Sequence, residues 1–375
     1  MASVKLIKFL DRYICSLICL LLSISKVFHV NKRADYKKIL LIQLWGMGET
    51  ILCLPAIKAL KESSRNSSID ILVTDRVKDI FYNNKNLNSI INVKLSPISI
   101  IKFIIKNCRK YDIAIDMEEY LNVSSIMAFF AGRKRIGYSH GIRSNLYNEK
   151  VHYNDRQHTA QTFMDLLQPL GIKKAVKSLE KLYYSTDDEG NIDKLLKENN
   201  ISKKDFIVGL GIGAAESVKE RMWPEERFAE VADYLINKYK AKIIMLGNKE
   251  ESILGENIIK LIKNKNSAFN FAGKTSAREM FYLASLCKLF IGNDAGPMHV
   301  AAAQNVKTIG LFGCNLPVRF RPFGKNGFYI YKKDSQEACI NVHKGEIGAC
   351  KFGRENACVK KIQVEDVKDL IKKVI

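Results

Sequence analysis

Short apolar runs alternate with helical patterns along most of this chain, and this alternation restricts the possible folds more than any other feature. We predict strands at residues 38–44, 69–74, 90–95, 112–117, 206–211, 242–247, 288–292 and 307–312. Helical patterns lie between and after them, at residues 50–62, 98–108, 158–170, 224–239, 250–263, 276–287, 297–304 and 364–375. Such alternation is typical of parallel sheets covered by helices. The chain is therefore predicted to be an α/β protein that binds ligands at the carboxyl ends of its strands.

Two domains are expected, because 375 residues exceed the length of one ordinary domain. Residues 172–204 are rich in Lys, Glu, Asp and Asn and contain no strand-like run, so we assign them to a linker region. The remaining chain divides into an N-terminal helix at residues 1–35, a first doubly wound domain at residues 36–171 and a second at residues 205–375. We expect the two domains to face a central cleft.

A glycine-rich turn follows a predicted strand in each half of the chain. The first turn, at residues 45–50, reads WGMGET, and the second, at residues 293–299, reads NDAGPMH. Glycine lets the backbone approach a ligand closely, and the helix that follows presents unpaired N–H groups to an anion. Each turn also holds an acid, Glu49 in the first and Asp294 in the second. We predict a phosphorylated ligand at one turn and a proton-accepting carboxylate at the other.

The chain carries a formal net charge of +21, from 60 Lys and Arg against 39 Asp and Glu. This excess predicts an acidic partner: a nucleic acid, an anionic membrane or a phosphorylated substrate. The alternative is that the excess charge reflects compositional drift alone. The basic residues 133–135 and Arg143 are predicted to lie on a surface loop. A second basic cluster, formed by Arg319, Arg321 and Lys325, is assigned to a solvated face, with an acidic acceptor as the alternative.

Nine irregularly spaced cysteines exclude a secreted disulfide framework. Five lie in apolar runs and are predicted to be small core residues: Cys15, Cys19, Cys53, Cys108 and Cys287. Three others, Cys339, Cys350 and Cys358, lie close together in a polar segment near the C-terminus. They are either free thiols or, with a fourth ligand such as His343, a structural metal site.

Residues 4–30 match an amphipathic helix. One predicted face is polar and cationic and includes Lys5, Lys8 and Arg12, whereas the other is apolar and includes Leu17 and Leu21. The uncharged stretch at residues 13–25 is shorter than the ~20 residues that cross a bilayer. An in-plane anchor on an anionic membrane fits this pattern. A cleaved signal peptide and a helix packed on the protein's own surface are the alternatives.

Several enzyme classes are excluded by motif spacing. Dinucleotide binding requires G-x-G-x-x-G, but the glycines at residues 209–213 are spaced differently and Gly46-Met47-Gly48 is not followed by the third glycine. No Walker A lysine follows a glycine-rich loop, and no serine-hydrolase elbow is present. The sequence therefore does not indicate a dehydrogenase, a P-loop NTPase or a serine hydrolase.

Three blocks in order resemble glycosyltransferase family 9, the heptosyltransferases of lipopolysaccharide core assembly. The blocks are residues 46–60, residues 209–228 with the run RMWPEERF, and residues 293–303, and the resemblance extends from about residue 38 to the C-terminus. It implies an α/β protein of the GT-B type, with two doubly wound Rossmann-like domains in addition to the N-terminal amphipathic helix. The implied activity is inverting, metal-independent transfer of a heptose or related sugar without a cofactor.

The resemblance also implies partners and residue roles. The donor is a nucleotide sugar similar to ADP-heptose, the acceptor is lipopolysaccharide core or another lipid-linked glycan, and no nucleic acid is bound. The enzyme would lie peripherally on the cytoplasmic face of the inner membrane. Glu49 matches the catalytic base, and the donor-binding positions are Gly48, Gly213, Arg221, Asp294, Ala295, Gly296 and His299.

The chain departs from the family pattern at three positions. Glu49 stands where aspartate is usual, Gln43 where arginine is common, and Ala295 where serine or threonine is usual. Glutamate performs the same proton transfer with a longer side chain, and backbone N–H groups can replace the missing hydroxyl at Ala295. Two alternatives stay open: another enzyme of the same fold, such as a nucleotide-sugar 2-epimerase, and a catalytically silent glycan- or nucleotide-binding protein.

Overall fold

A computed structural model describes residues 9–24, 36–214, 221–332, 339–341 and 357–375 of the chain. The described residues form two compact units, with the boundary between Val176 and Lys177. Each unit contains a six-stranded sheet in which all paired neighbours are parallel. The predicted α/β class with two doubly wound units is confirmed.

In the first unit, a π-helical turn at Asp11–Cys15 continues directly into helix α1 at Ser16–Ile24. Its strands are β1 Lys38–Ile42, β2 Ser68–Val73, β3 Ser89–Asn92, β4 Tyr111–Asp116, β5 Gly132–Tyr138 and β6 Glu149–Val151. Its other helices are α2 Met47–Ser63, α3 Pro97–Asn107, α4 Asn122–Ala131 and α5 Thr159–Asp165. The strand order is β3-β2-β1-β4-β5-β6, so the order reverses between β1 and β4.

The second unit repeats this architecture. Its strands are β7 Ile207–Gly211, β8 Lys242–Leu246, β9 Ala268–Asn270, β10 Leu289–Asn293, β11 Lys307–Phe312 and β12 Gly327–Tyr331. Its helices are α6 Thr186–Glu198, α7 Glu225–Tyr239, α8 Ser252–Leu261, α9 Ala277–Leu286, α10 Gly296–Ala303, α11 Pro317–Phe320, α12 Ala357–Lys360 and α13 Val364–Val374. The strand order is β12-β11-β10-β7-β8-β9, which reverses between β7 and β10.

The central strands are almost continuously apolar because helices cover both faces of a parallel sheet. In β1, the residues from Ile39 to Ile42 are all buried, and all five residues of β7 are buried. Side-chain caps begin several of the helices: Ser185 and Asp188 form a capping box at α6, and Ser276 and Glu279 form one at α9. The predicted strands and helices agree with these elements to within a few residues, except that the helix predicted at residues 158–170 ends at Asp165 and a separate 3-10 turn follows at Gln168–Leu170.

The segment predicted to be a linker contains helix α6. Its residues bond to the second unit: Arg278 of α9 pairs with Asp188 at 3.0 Å, and Asn191 donates to Glu279 at 2.8 Å. The acidic and amide residues that suggested a linker therefore form polar contacts between two helices.

Three assignments of polar or sulfur-bearing residues are wrong. Residues 133–135 form part of strand β5 instead of a surface loop, and both Arg135 and Arg143 are buried. Arg319 of the second basic cluster is buried as well, so it is not part of a solvated face, whereas Arg321 and Lys325 are exposed. Among the five cysteines assigned to the core, Cys108 is exposed, because it follows the last turn of α3.

The π-helical turn and helix α1 pack on helix α4, in part through Asp11 and Cys19. The carboxylate of Asp11 accepts hydrogen bonds from Asn122 N at 3.0 Å and Val123 N at 2.8 Å, at the start of α4. Cys19 is fully buried beside Ser125. On the predicted apolar face, Leu17 and Leu21 are exposed. In the described residues, no helix has the length and apolar character needed to cross a membrane.

Candidate active site

The second unit gathers polar residues where its strand order reverses. Strands β7 and β10 are paired, so the segments that follow them emerge at the same edge of the sheet. The Asn293 side chain holds these segments together, because its amide donates to Ile212 O at 2.8 Å and its oxygen accepts from Trp223 N at 2.9 Å. The predicted turn at residues 293–299 therefore lies at the position where doubly wound sheets bind ligands.

Arg221 and Asp294 are in contact at this edge. A guanidinium nitrogen of Arg221 donates to Asp294 O at 3.2 Å and lies 3.6 Å from the Asp294 carboxylate. Asn315 donates to the same carboxylate at 2.6 Å. Burial raises the pKa of Asp294, while Arg221, Asn315 and Arg319 act in the opposite direction. The carboxylate thus orients Arg221 and Asn315 at the strand ends.

Three buried polar atoms around this turn have no hydrogen-bond partner in the described part of the chain. They are Arg221 Nε, Asn315 Oδ1 and His299 Nδ1. His299 lies in the first half of α10, and its pKa is lowered to about 4 by burial and, second, by the positive charge of Arg221. Its imidazole is therefore neutral at pH 7. Buried polar groups are normally paired, so unpaired ones on α10 and on two residues that contact Asp294 are typical of a polar ligand site.

The other predicted donor residues occupy different positions. Gly296 is the first residue of α10, and Ala295 is its N-cap residue with an extended backbone and no side-chain cap. Gly213 makes room for the Glu251 carboxyl, which a Cβ at that position would overlap. Gly48 belongs to the first unit, where it is buried in the first turn of α2.

The first unit has an equivalent edge where β1 and β4 are paired. Glu49 lies in the first turn of α2 and is half-buried, with its carboxylate packed against Gly46. Gly46 has a φ of 80°, a left-handed conformation that favours glycine. A side chain at this position would displace the Glu49 carboxylate. The turn therefore determines where the predicted base lies.

Glu118, which follows β4, supports the turn that leads to Glu49. Its carboxylate accepts hydrogen bonds from Leu44 N at 2.5 Å and Trp45 N at 2.8 Å, and the Gln43 amide lies 3.4 Å away. Burial raises the pKa of Glu118 to about 8, although the Leu44 backbone bond lowers it. Gln43 stands where the family commonly has arginine, and a neutral amide does not counteract this effect of burial.

A buried ionic network lies next to Glu118. Arg143 donates to the Asp116 carboxylate at 2.8 Å, and this carboxylate also accepts from Tyr147 at 2.6 Å and from Ser124 at 2.8 Å. Burial disfavours the charged form of Arg143, but Asp116 and Tyr147 raise its pKa. Arg135 is satisfied differently: it donates to Leu146 O at 2.7 Å and lies over the Phe129 ring.

We expect Glu118 to make folding stability depend on pH. Its pKa rises from 4.5 in the unfolded chain to about 8 in the folded one, so the folded state binds more protons between these values. Stability should therefore fall as pH rises through this range, by at most roughly 1.4 kcal/mol per pH unit for one group. Urea unfolding at several pH values should show this slope in the wild type and a smaller slope in Glu118→Gln. Equal slopes in the two proteins would contradict the assignment.

Sequence reasoning missed the acids at and after the end of β4 and the side chains that hold the two edges together. Asp116, Glu118 and Glu119 directly follow an apolar run, and this position at a strand end was the signal available. Asn293 and Asn315 had no comparable signal, because their partners come from distant segments.

Of the possible metal ligands near the C-terminus, Cys350 and His343 lie outside the described residues. The described residues contain no group of three that could hold a metal ion.

Comparisons with known proteins agree with this architecture. The family model for glycosyltransferase family 9 (heptosyltransferase) matches residues 101–347. Lipopolysaccharide heptosyltransferase 1 of Campylobacter coli is 23% identical over 359 residues, which cover 90% of this chain and 98% of the relative. A family 9 glycosyl transferase structure from Veillonella parvula has a TM-score of 0.80 at 22% identity. The match covers 92% of this chain and 99% of the Veillonella chain. The structure of E. coli ADP-heptose lps heptosyltransferase II has a TM-score of 0.72 at 19% identity. This match covers 90% of this chain and 98% of the E. coli chain.

Proposed function

This chain belongs to glycosyltransferase family 9, and we propose that it transfers a heptose or related sugar from an ADP-heptose-like donor to lipopolysaccharide core or another lipid-linked glycan. The observation that carries the proposal is the set of unpaired buried polar atoms around Asp294, beside the N-terminus of α10. The names of the relatives from Campylobacter coli and E. coli support the choice of sugar and acceptor.

The donor diphosphate would bind where β7 and β10 end. Arg221 is oriented by Asp294 and supplies a guanidinium, which forms strong charge-assisted hydrogen bonds to phosphate oxygens. Backbone N–H groups at the start of α10 add dipolar attraction for the same anion. His299 is neutral, so it would contribute a hydrogen bond without a charge.

Sugar transfer then requires a base and a stabilised leaving group. In the proposed step, Glu49 accepts the proton of an acceptor hydroxyl while the hydroxyl oxygen forms a bond to the anomeric carbon of the donor. The bond from that carbon to the diphosphate breaks, and the nucleoside diphosphate leaves with the electron pair. Arg221 offsets the charge that develops on the diphosphate. A single displacement of this kind inverts the configuration at the anomeric carbon.

The proposed enzyme works as a peripheral protein on the cytoplasmic face of the inner membrane. Its acceptor is amphiphilic, and the donor is a soluble nucleotide sugar. The exposed apolar side chains of α1, among them Leu17, Leu21 and Ile24, support contact with the lipid interface. The buried Asp11 and Cys19 attach the opposite side of the helix to the first unit.

Replacement of Arg221 tests the donor site. We expect Arg221→Ala to weaken binding of ADP-heptose by about 1.5–3 kcal/mol, the range for hydrogen bonds to charged groups. Arg221→Lys should lose part of this affinity, because an ammonium cannot replace the bidentate guanidinium. The measurement is a calorimetric titration of the purified full-length chain with the donor.

The matched control is Arg278→Ala, which removes another arginine–aspartate contact of the second unit at α9. This variant should bind the donor as the wild type does. Thermal-shift assays with ADP-, GDP- and UDP-sugars would identify the base, since a specific ligand stabilises the folded state. Unchanged donor affinity in Arg221→Ala would place the diphosphate elsewhere, and donor binding without sugar transfer would favour a silent binding protein.

A further inference from the structure

Helix α3 exposes apolar side chains that the fold does not use. Ile98, Ile101 and Ile105 are exposed, and Ile105 is 74% exposed. The opposite side of the helix is anchored by the buried Phe103. Three isoleucines on one helix face form a patch, whereas single exposed apolar residues are common on protein surfaces. The patch therefore indicates a partner.

Helix α3 and the N-terminal helical segment border the same small apolar core. Cys15, Ile18 and Leu22 of the N-terminal helical segment share a small apolar core with Ile104 of α3 and Phe129 of α4. Both α1 and α3 therefore pack beside α4 in the first unit. The exposed stripe on α1 also continues over two helical turns, with Ile24 reaching 72% exposure. Two helices that both pack beside α4 thus present unused apolar faces.

The exposed charged residues of these helical segments are basic. Lys102 and Lys106 are exposed beside the isoleucines of α3, and no acidic residue occurs between Asp79 and Asp112. In residues 1–33 the single acid is Asp11, which is buried where it caps α4. A second copy of this chain would bring like charges together on such a face. An anionic lipid surface instead accommodates both the isoleucines and the lysines.

We propose that α3 and α1 together form a lipid-binding surface that docks the first unit on an anionic bilayer. The isoleucines enter the boundary between headgroups and acyl chains, and the lysines contact anionic headgroups. The first unit then has a membrane contact in addition to its N-terminal helix. This inference rests on the proposed function, which names a membrane as partner, and it assigns part of that contact to α3.

Vesicle flotation of the full-length protein tests the α3 contact. The triple variant Ile98→Ser, Ile101→Ser and Ile105→Ser should bind vesicles of phosphatidylcholine and phosphatidylglycerol about tenfold more weakly, since less apolar area is buried. The double variant Lys102→Glu and Lys106→Glu should also bind these vesicles about tenfold more weakly. On vesicles of phosphatidylcholine alone, the double variant should match the wild type.

The matched control removes two exposed apolar residues of the second unit, with Ile253→Ser and Leu261→Ser on α8. This variant should bind vesicles as the wild type does. Thermal unfolding should change little in all three variants, because the substituted side chains are exposed. Sugar transfer to a detergent-solubilised acceptor should also be unchanged, which separates membrane docking from catalysis.

Three results would overturn the lipid-binding surface: wild-type vesicle binding by the isoleucine variant, absence of vesicle binding by the wild type, or a concentration-dependent dimer that this variant abolishes. The last result would assign the face to a second copy of the chain. Failure of the proposed function would give different results from failure of the lipid-binding surface. In that case the wild type binds vesicles through α3 but transfers no sugar to any acceptor.

Discussion

Glu49→Gln should lower the rate of sugar transfer by roughly 10²–10⁴-fold while the affinity for the donor stays nearly constant. The amide keeps the size of the side chain and its place against Gly46, but it does not accept a proton from the acceptor hydroxyl. The assay measures transfer of labelled sugar to a lipid-linked acceptor, beside a donor titration of the same preparation. Glu49→Asp should retain more activity than Glu49→Gln, since it keeps the carboxylate and shortens the side chain by one methylene.

The matched control for Glu49 lies on the same helix. Glu62 is near the C-terminal end of α2, where it pairs with Lys174 on the surface. Glu62→Gln should transfer sugar at the wild-type rate, because it removes a carboxylate of the same helix far from the turn at Gly46. If Glu49→Gln were as active as this control, Glu49 would serve only the helix dipole and the base would have to be another group.

The strands of the sheet centres could be predicted from the sequence because burial on both faces makes them continuous apolar runs. Strand β5 was missed for the opposite reason, since its first half consists of Gly132 and three basic residues. Lys134 pairs with Glu149 of β6 at 3.0 Å, and Arg135 bonds to backbone oxygens. These compensating partners come from other segments, and no local pattern announces them.

The candidate site, like the sheets, could be predicted from the sequence only in part. The two glycine turns were visible because glycine, an acid and a helix start occur together in the sequence, and the predicted GT-B type of fold is confirmed by the solved family structures. The contacts that orient the turns were not visible. Arg221 meets Asp294 across 73 residues, and Glu118 meets Leu44 across 74. Such contacts follow from strand order, which the sequence alone did not define. The roles of Glu49 and of the donor-binding residues stay predictions.

Arg143→Met should destabilise the first unit by roughly 3–5 kcal/mol, the usual effect of removing one partner of a buried ion pair. Arg143 and Asp116 are both fully buried, so the variant leaves an interior carboxylate whose donors are the neutral Tyr147 and Ser124 hydroxyls and the Glu118 N–H. Urea unfolding followed by circular dichroism measures the loss.

Two further variants show whether the charge causes this loss. Adding Asp116→Asn to Arg143→Met should restore part of the stability, because it removes the uncompensated charge, and the double-mutant cycle gives the coupling between the two residues. Lys174→Ala, which breaks an exposed pair of the same unit, should leave the unfolding midpoint nearly unchanged. Donor affinity should survive in Arg143→Met under conditions where the second unit stays folded, since Arg221 and Asp294 belong to that unit. A loss in Arg143→Met no larger than that in Lys174→Ala would mean that water reaches Asp116 and that the network is not a closed ionic core.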